Sequence, residues 1–318
     1  MSQTVIRIDG PQNSVRNLTA FKDEVPEPSK HEDNVVPCSD AAGVVVFVGE
    51  GVKTLSKGDR VISTFDPTNL YGQQMNWLNG HGGLVDGALR EYFTIPAAAA
   101  VKLPESSPQS FSEWSTLVCT GVTAWNALYA ITPLKPSQIG LALGTGGVPI
   151  IGLLLAKAAG CTTIITSSSD EKLEAVKSKF GFDFGVNYKT HPELSKEVLR
   201  LTNGEGVDYV LENGGSGTIA ESINSVKMGG NVSVIGFLSQ AKEMPDVAGL
   251  ALAKGAVVRG VVVGSTQLLH EVVRFVTRKG LRLPVEKELG FSADEASKAY
   301  EYLLSGTHVG KVCIKVSE

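Results

Sequence analysis

The stretch Ile139–Cys161, IGLALGTGGVPIIGLLLAKAAGC, decides how the rest of the chain is read. Ile139–Leu143 is a short apolar run of the kind that forms a buried strand. Gly144-Thr145-Gly146-Gly147-Val148-Pro149 follows, and Val148–Ala159 is apolar enough for a buried helix. Strand, glycine turn and helix in that order lift a G-x-G motif above coincidence. The glycines permit a tight turn and close approach of a pyrophosphate, and the helix N-terminus offers amides and the positive end of its dipole. A tight strand–helix turn with no ligand is the competing reading. Pro149 is tolerable there, because an N–H in the first helical turn has no intrahelical partner.

The pattern continues downstream. Thr162–Thr166 is β-branched and reads as a second strand. Ser169 can cap the helix DEKLEAVKSKFG, which stops near Gly181. FGVNY is a third strand, Pro192 opens a helix to Leu201, and VDYVLEN is a fourth strand. Ser216–Val226 is a helix, NVSVIGF a fifth strand and AVVRGVVVG a sixth, with a last helix running through Lys279. Strands alternating with helices predict an α/β fold with a doubly wound parallel sheet, the frame in which a dinucleotide reading of the knot is strongest.

The flanks differ. Residues 1–110 carry glycine turns and short β runs such as GVVVFVGEGV and KGDRVI, which predict a compact, barrel-like β domain. Near the C-terminus, SADE predicts a capping box in which Ser292 accepts the Glu295 amide and the Glu295 carboxylate reaches back. Ala296, Ala299, Tyr300 and Leu303 form one apolar stripe, Gly306 ends the helix, and GKVCIKV closes as a strand. Residues 1–110 with 280–318 are thus expected to form one domain and residues 111–279 the dinucleotide-binding domain.

A length of 318 residues already favours two domains. The net charge of -4 and the absence of a basic run argue against a nucleic-acid or anionic-membrane partner. MSQTVIRIDG has no apolar secretory core, and the longest apolar stretches are too short to span a bilayer. The four cysteines, Cys38, Cys119, Cys161 and Cys313, form no C-x-x-C pair. That spacing disfavours a disulfide framework and a structural zinc cluster, and four reduced thiols fit a cytoplasmic protein.

The choice of dinucleotide turns on the end of the second strand, where NAD sites place an acidic residue roughly 20 positions after the glycines. Here the chain reads TSSSDEK. Thr166, Ser167 and Ser168 are neutral, and Lys172 lies one helical turn on. Small hydroxyls and a cation suit a 2′-phosphate, so NADP(H) is expected over NAD(H). Asp170 is the competing reading, although it falls where a first helical turn favours an acid.

With these pieces assembled, the chain resembles the medium-chain dehydrogenase/reductase superfamily, on its zinc-independent side of quinone oxidoreductases and enoyl reductases. The resemblance rests on VVPCSDAAGVVVFVGEGV, KGDRV, GGLVDGALREYFTIP, LVCTGVTAWNAL, LGTGGV, TSSSDEKL, VNY, VDYVLENGG, GGNVSVIGF and HVGKVCIKV, in that order along nearly the whole chain. It implies a Rossmann domain with a GroES-like β-barrel domain. It further implies that Thr123 lies near nicotinamide and phosphates, with Gly144, Gly146, Gly147 and Val148 at the pyrophosphate. Ser167, Ser168, Lys172 and Tyr188 would surround the 2′-phosphate. Asn213, Gly214, Gly236 and Phe237 would line the nicotinamide side of a cleft, Val263 and Gly264 would sit by the carboxamide, and Lys311 would reach the pyrophosphate. Ordinary strand packing competes as the role of Tyr188.

Zinc-dependent members carry Gly-His-Glu where this chain has Cys38-Ser39-Asp40, so the histidine ligand is replaced by Ser39. Cys119 matches a ligand position but stands alone, and a catalytic zinc usually takes three protein ligands. No zinc is expected, and His81 reads as a surface or active-site-rim residue. The chain also departs from the family between Pro28 and Val35, where a strand-and-helix portion of the GroES-like domain is absent. The tyrosine that many members place at the substrate has no counterpart. Pro149 replaces the usual glycine or serine at the end of the knot.

The expected activity is zinc-free, NADPH-dependent reduction of a small α,β-unsaturated carbonyl, enoyl or quinone substrate. Tyr71 and His81, in DPTNLYGQQMNWLNGHGG, are the candidate proton sources, against a surface loop of packed aromatics. A cofactor-binding protein without redox turnover, a cyclase, isomerase or binding subunit, is the alternative. The sixth strand at a sheet edge predicts a homodimer, against a covered edge in a monomer.

Overall fold

A computed structural model describes residues 2–8, 18–24, 35–76 and 78–317, the first two stretches through their backbone alone. The chain packs as two compact units: residues 1–122 with 263–318, and residues 123–262. Segments 111–122 and 263–279, which the sequence reading assigned to the dinucleotide domain, pack with the first unit. The gap in the family pattern between Pro28 and Val35 falls on residues 25–34, outside the described residues.

The first unit opens with antiparallel strands β1 (Ser2–Ile8) and β2 (Leu18–Glu24). Strands β3 (Ala42–Val44), β4 (Arg60–Ser63) and β5 (Ala100–Lys102) make a second antiparallel sheet. Helix α1 (Phe111–Ser115) is opened by a capping box: Ser110 accepts the Glu113 amide and Glu113 accepts the Ser110 amide. Glu113 is buried and also takes Nε and Nη2 of Arg282 at 2.7 and 2.8 Å, which ties α1 to the returning C-terminal segment.

Helix α2 (Val122–Tyr129) leads into the second unit. Its sheet comprises, among the described residues, β6 (Ile139–Ala142), β7 (Thr162–Ser167), β8 (Phe184–Asn187), β9 (Val207–Glu212), β10 (Val226–Val234) and β11 (Val257–Gly260). All are parallel in the order β11-β10-β9-β6-β7-β8, the doubly wound arrangement. β9 is buried throughout, as a central strand covered on both faces must be. Helices α3 (Gly147–Ala158), α4 (Asp170–Phe180), α5 (Leu194–Leu201), α6 (Ile219–Ser225) and α7 (Val247–Lys254) connect the strands. Leu141, Ile164, Val198, Val210, Ile223 and Val232 lie in their common core. A Cβ on Gly152 would run into the Leu211 side chain, so this glycine lets α3 sit close on β9.

The chain returns to the first unit through α8 (Thr266–Lys279), β12 (Val285–Gly290), α9 (Ala293–Leu304) and β13 (Lys311–Lys315). Helix α8 buries Leu269, Val272, Val273 and Val276 and packs on β5 and on the π-helical turn Leu117–Gly121, which is why it belongs here.

Three local expectations change. β10 starts at Val226 rather than Asn231, because the ladder to β9 crosses a register shift at Gly229, with φ +75°, and Gly230. The sixth strand ends at Gly260; Val261 still donates to the Val234 carbonyl, and Val263, with φ +44°, turns the chain out. At α9, Ser292 does accept the Glu295 amide, but the Glu295 carboxylate pairs with Lys298 at 2.6 Å. Ala296 and Ala299 are buried, whereas Leu303 faces solvent.

Candidate active site

Within the second unit, β6 and β9 flank the point where strand order reverses, the position at which doubly wound sheets bind ligands beyond the strand ends. Gly144 follows β6 with φ +88°, and its amide donates to Thr166 Oγ1 at 3.0 Å, which fixes the turn to β7. Gly146 is the N-cap of α3, and no side chain caps that end. Its φ is −77°, open to any residue, and a Cβ added there would meet nothing within 4 Å. Neither backbone conformation nor protein packing demands glycine at 146. The open backbone at this helix start leaves room for a pyrophosphate. Gly147, Val148 and Pro149 form the first helical turn, so Pro149 removes no helix hydrogen bond.

β7 ends at Ser167, followed by Ser168 and the N-cap Ser169, whose hydroxyl accepts the Lys172 amide. Tyr188 is exposed just beyond β8, its amide bonded to the Ser167 carbonyl. Asp170, the competing partner for ribose hydroxyls, accepts from Asn187 Nδ2 at 3.0 Å. Ser167 is itself buried, its Oγ accepting the Ser169 amide, so Ser168 and Ser169 are the half-buried hydroxyls here, and Asp170 is exposed with one oxygen on Asn187.

On the other side of the switch point, Glu212 ends β9 fully buried. It accepts the Gly214 and Gly215 amides at 2.6 and 2.9 Å and the hydroxyls of Thr218 and Ser222. These bonds hold 213–218 in a tight 3-10 path, so the helix expected from Ser216 begins only at Ile219. Asn213 Nδ2 donates to the Leu143 carbonyl, and the Leu238 and Ser239 amides donate to Asn213 and Gly214. A Cβ on Gly236 would stand 2.5 Å from the Asn213 carbonyl oxygen, so glycine is required for this close approach. Phe237 is 87% exposed on the resulting loop. Thr123, at the start of this unit, is buried. Sequence reading missed Glu212, whose acidic side chain inside an apolar strand was the available signal.

Within the first unit, Cys38 adopts φ +69°. Its Sγ shares a hydrogen bond with Tyr300 Oη at 3.3 Å, and burial pushes its thiol up. Ser39 Oγ donates to Asp40 Oδ1 at 2.8 Å, and Lys311 Nζ donates to Asp40 Oδ2 at 3.0 Å. Burial alone would lower the Lys311 pKa, but Asp40 and the Cys119 thiol raise it overall, so Lys311 stays charged. The residue expected to reach a pyrophosphate thus makes an ion pair with Asp40. Gly264 packs against Val122, and Val263 is buried in its left-handed conformation.

His81 is only 7% exposed, in contrast to the rim position expected. It lies edge-on to Phe93 at 4.8 Å, and its Nδ1 is 3.0 Å from the Asp86 carbonyl. A carbonyl accepts only, so Nδ1 carries the proton, and burial keeps the ring neutral by lowering its pKa. Nε2 is then a buried acceptor with no hydrogen-bond partner. Tyr71 is 76% exposed. Among the described residues no three His, Cys, Asp or Glu side chains gather to hold a metal ion. Cys119 sits on the π-helical turn without such company.

Two family models match the chain: an alcohol dehydrogenase GroES-like domain over residues 6–105 and a zinc-binding dehydrogenase domain over residues 147–278. A zinc-type alcohol dehydrogenase-like protein of Schizosaccharomyces pombe is 36% identical over 99% of this chain and 91% of its own length. The chain belongs to the medium-chain dehydrogenase/reductase superfamily. A probable quinone oxidoreductase of Leishmania amazonensis is 28% identical over 87% of the chain and 78% of its own length. The crystal structure of a putative alcohol dehydrogenase from Sinorhizobium meliloti 1021 superposes with a TM-score of 0.87 at 32% identity, covering 99% of this chain and 100% of that one. The Rossmann and GroES-like architecture expected from the sequence is therefore the family's, and the protein is an oxidoreductase by descent. The zinc in one family description has no matching ligand set in Cys38-Ser39-Asp40 and Cys119.

Proposed function

We propose that this medium-chain dehydrogenase/reductase is a zinc-independent, NADPH-dependent reductase of α,β-unsaturated carbonyl, enoyl or quinone substrates. The reading is carried by the open helix start at Gly146, where an added Cβ would meet no protein atom within 4 Å, beside a strand end rich in serines. Gly144, Gly146, Gly147 and Val148 would hold the pyrophosphate, and Ser167, Ser168, Lys172 and Tyr188 the 2′-phosphate. Thr123, Asn213, Gly214, Gly236, Phe237, Val263 and Gly264 would bound the nicotinamide. The bound dinucleotide supplies hydride to the electrophilic carbon of the substrate. What the chain must add is orientation, and a hydrogen bond and proton for the substrate oxygen in place of a Lewis acid. The quinone oxidoreductase relative supports the substrate class.

β11 lies at the edge of its sheet with Val257 exposed, which supports self-association of two copies through that edge. Four free cysteines suit the reducing cytoplasm. The test is consumption of NADPH by protein dialysed against a chelator, with quinone and enone probes. Turnover is expected to survive the chelator and to favour NADPH over NADH. Turnover that appears only on adding zinc would overturn the zinc-independent reading.

A further inference from the structure

Among the described residues β3 is an edge strand: it pairs with β4, and no second strand flanks it. The ladder shows which backbone groups this leaves over. Val45 donates to the Asp59 carbonyl at 2.9 Å and accepts the Gly58 amide at 2.8 Å, and Ala41 accepts the Ser63 amide at 3.0 Å. The odd-numbered residues thus turn their backbone groups towards β4. In an extended chain Ala42, Val44 and Val46 turn theirs the other way, and no described residue bonds them there. The side chains beside these groups are apolar and open: Val44 is 48% exposed, Val46 54% and Phe47 82%. Edge strands are ordinarily guarded by a charge, a proline, a bulge or a covering element. From Ala41 to Gly49 the chain carries no charged residue and no proline, and Val44–Val48 is an unbroken run of strand formers. Free backbone groups along such a run are a template for one more strand.

We propose that this edge pairs, antiparallel, with the same edge of a second copy of the chain, about a two-fold axis that sets Val44 opposite itself. Charge argues for a second copy as the occupant. Across a two-fold axis a residue faces its own kind, so any charge near the axis would meet its like. A charge-free run is what such a pairing needs, whereas a partner of different sequence is ordinarily selected by complementary charges, which this edge does not offer. The register follows from the free groups. Setting Val44 opposite Val44, and Ala42 opposite Val46, uses the outward amide and carbonyl of all three residues in both copies. In that register Asp40 falls opposite Val48 of the second copy and Glu50 opposite its Cys38, so the flanking acids do not meet. Phe47 falls beside Ala41 and Gly43 of the second copy, where small residues leave room for the ring. The pairing uses up the edge in both copies, so assembly through it stops at two. With about five residues a side it lies below the size of a standard interface, and association is weak. It is independent of β11, an edge of the other unit, and of the reductase reading.

The test uses the full-length protein with Val44→Cys. Hydrogen-bonded antiparallel partners stand about 5.5 Å apart at Cα, a span that a disulfide bridges. Mild oxidation at about 100 µM protein is expected to join the two introduced thiols, as located by peptide mass mapping. Lys53→Cys, beyond the edge, should give no such cross-link. Sedimentation over a concentration series supplies the second readout, in a Val257→Lys background that removes the β11 edge. There the protein should form dimers, and adding Val44→Lys, which sets two ammonium groups face to face, should raise the dimer dissociation constant at least about tenfold with melting temperature unchanged. Val44→Cys that cross-links no more than Lys53→Cys overturns the pairing, and so does a folded Val44→Lys protein that dimerises as its parent does. If Val44→Lys melts lower than its parent, the cross-link alone decides. A protein that stays monomeric throughout overturns the second copy as occupant and leaves the edge to an extended segment of another polypeptide.

Discussion

Two glycines, Gly87 in the first unit and Gly146 in the second, stand in opposite surroundings. A Cβ on Gly87 has nowhere to go, because the Cys38 carbonyl already occupies the space. A Cβ on Gly146 would have room on every side, at a φ that any residue adopts. The first glycine serves the fold, whereas at the second neither packing nor backbone conformation calls for glycine, which suits the proposed binding of a pyrophosphate. The contrast separates a packing requirement from an open helix start, the place the proposed dinucleotide would occupy.

The largest effect is expected where packing leaves no freedom. Gly87→Ala should cost more than about 3 kcal/mol, enough to lose cooperative unfolding of the first unit in a urea titration. A stable Gly87→Ala protein would remove one side of the comparison. Gly146→Ala should change stability by no more than about 1 kcal/mol. Its Kd for NADPH should nevertheless rise at least about tenfold, equivalent to 1.4 kcal/mol, because the new methyl stands in the pyrophosphate's place. Equal NADPH affinity in Gly146→Ala and wild type would mean that the space is only space.

Lys172→Gln sharpens the binding side. NADPH affinity should fall about tenfold, as expected for loss of one charge-assisted bond, with NADH affinity unchanged. An equal loss for both cofactors would place the lysine away from the 2′-phosphate. The smallest effect belongs to the packing side of the second unit. Burial raises the Asp183 carboxyl, but the Thr163 hydroxyl and Lys157 outweigh it and hold it below the usual carboxylate range. The stabilisation is then complete above about pH 4 and is lost as pH falls through the lower folded-state value. Asp183 and Lys157 are both about one-third exposed, so the contribution should not exceed about 1 kcal/mol. Asp183→Asn should flatten that part of the acid-stability curve, and an unchanged curve would contradict the assignment.

The sequence showed local features well and distant ones poorly. Ser169 and Gly181 mark the ends of α4 because capping depends on residues next to the helix. The parallel sheet was legible for the same reason, since its strands carry their own short apolar or β-branched stretches between helices. The early start of β10 was hidden by Gly229 and Gly230, glycines that weaken a strand pattern until the ladder to β9 is seen. The burial of His81 depends on Phe93 and on the Asp86 carbonyl, neither of which a polar, glycine-rich loop announces. Asp40 and Lys311 are 271 positions apart, and their pairing exists only once β13 has returned to the first unit. Likewise Glu113, which the sequence reading did not single out, both closes a capping box and anchors Arg282.

The central claim is that the open glycine turn and the serine-lined strand end bind NADPH. Calorimetric titration of the purified protein with NADPH, and in parallel with NADH, tests it most directly. Micromolar or tighter binding of NADPH, with NADH at least about tenfold weaker, is the result expected. Equal binding of the two would contradict the 2′-phosphate site, and binding of neither would contradict the reading of Gly146 on which the account rests.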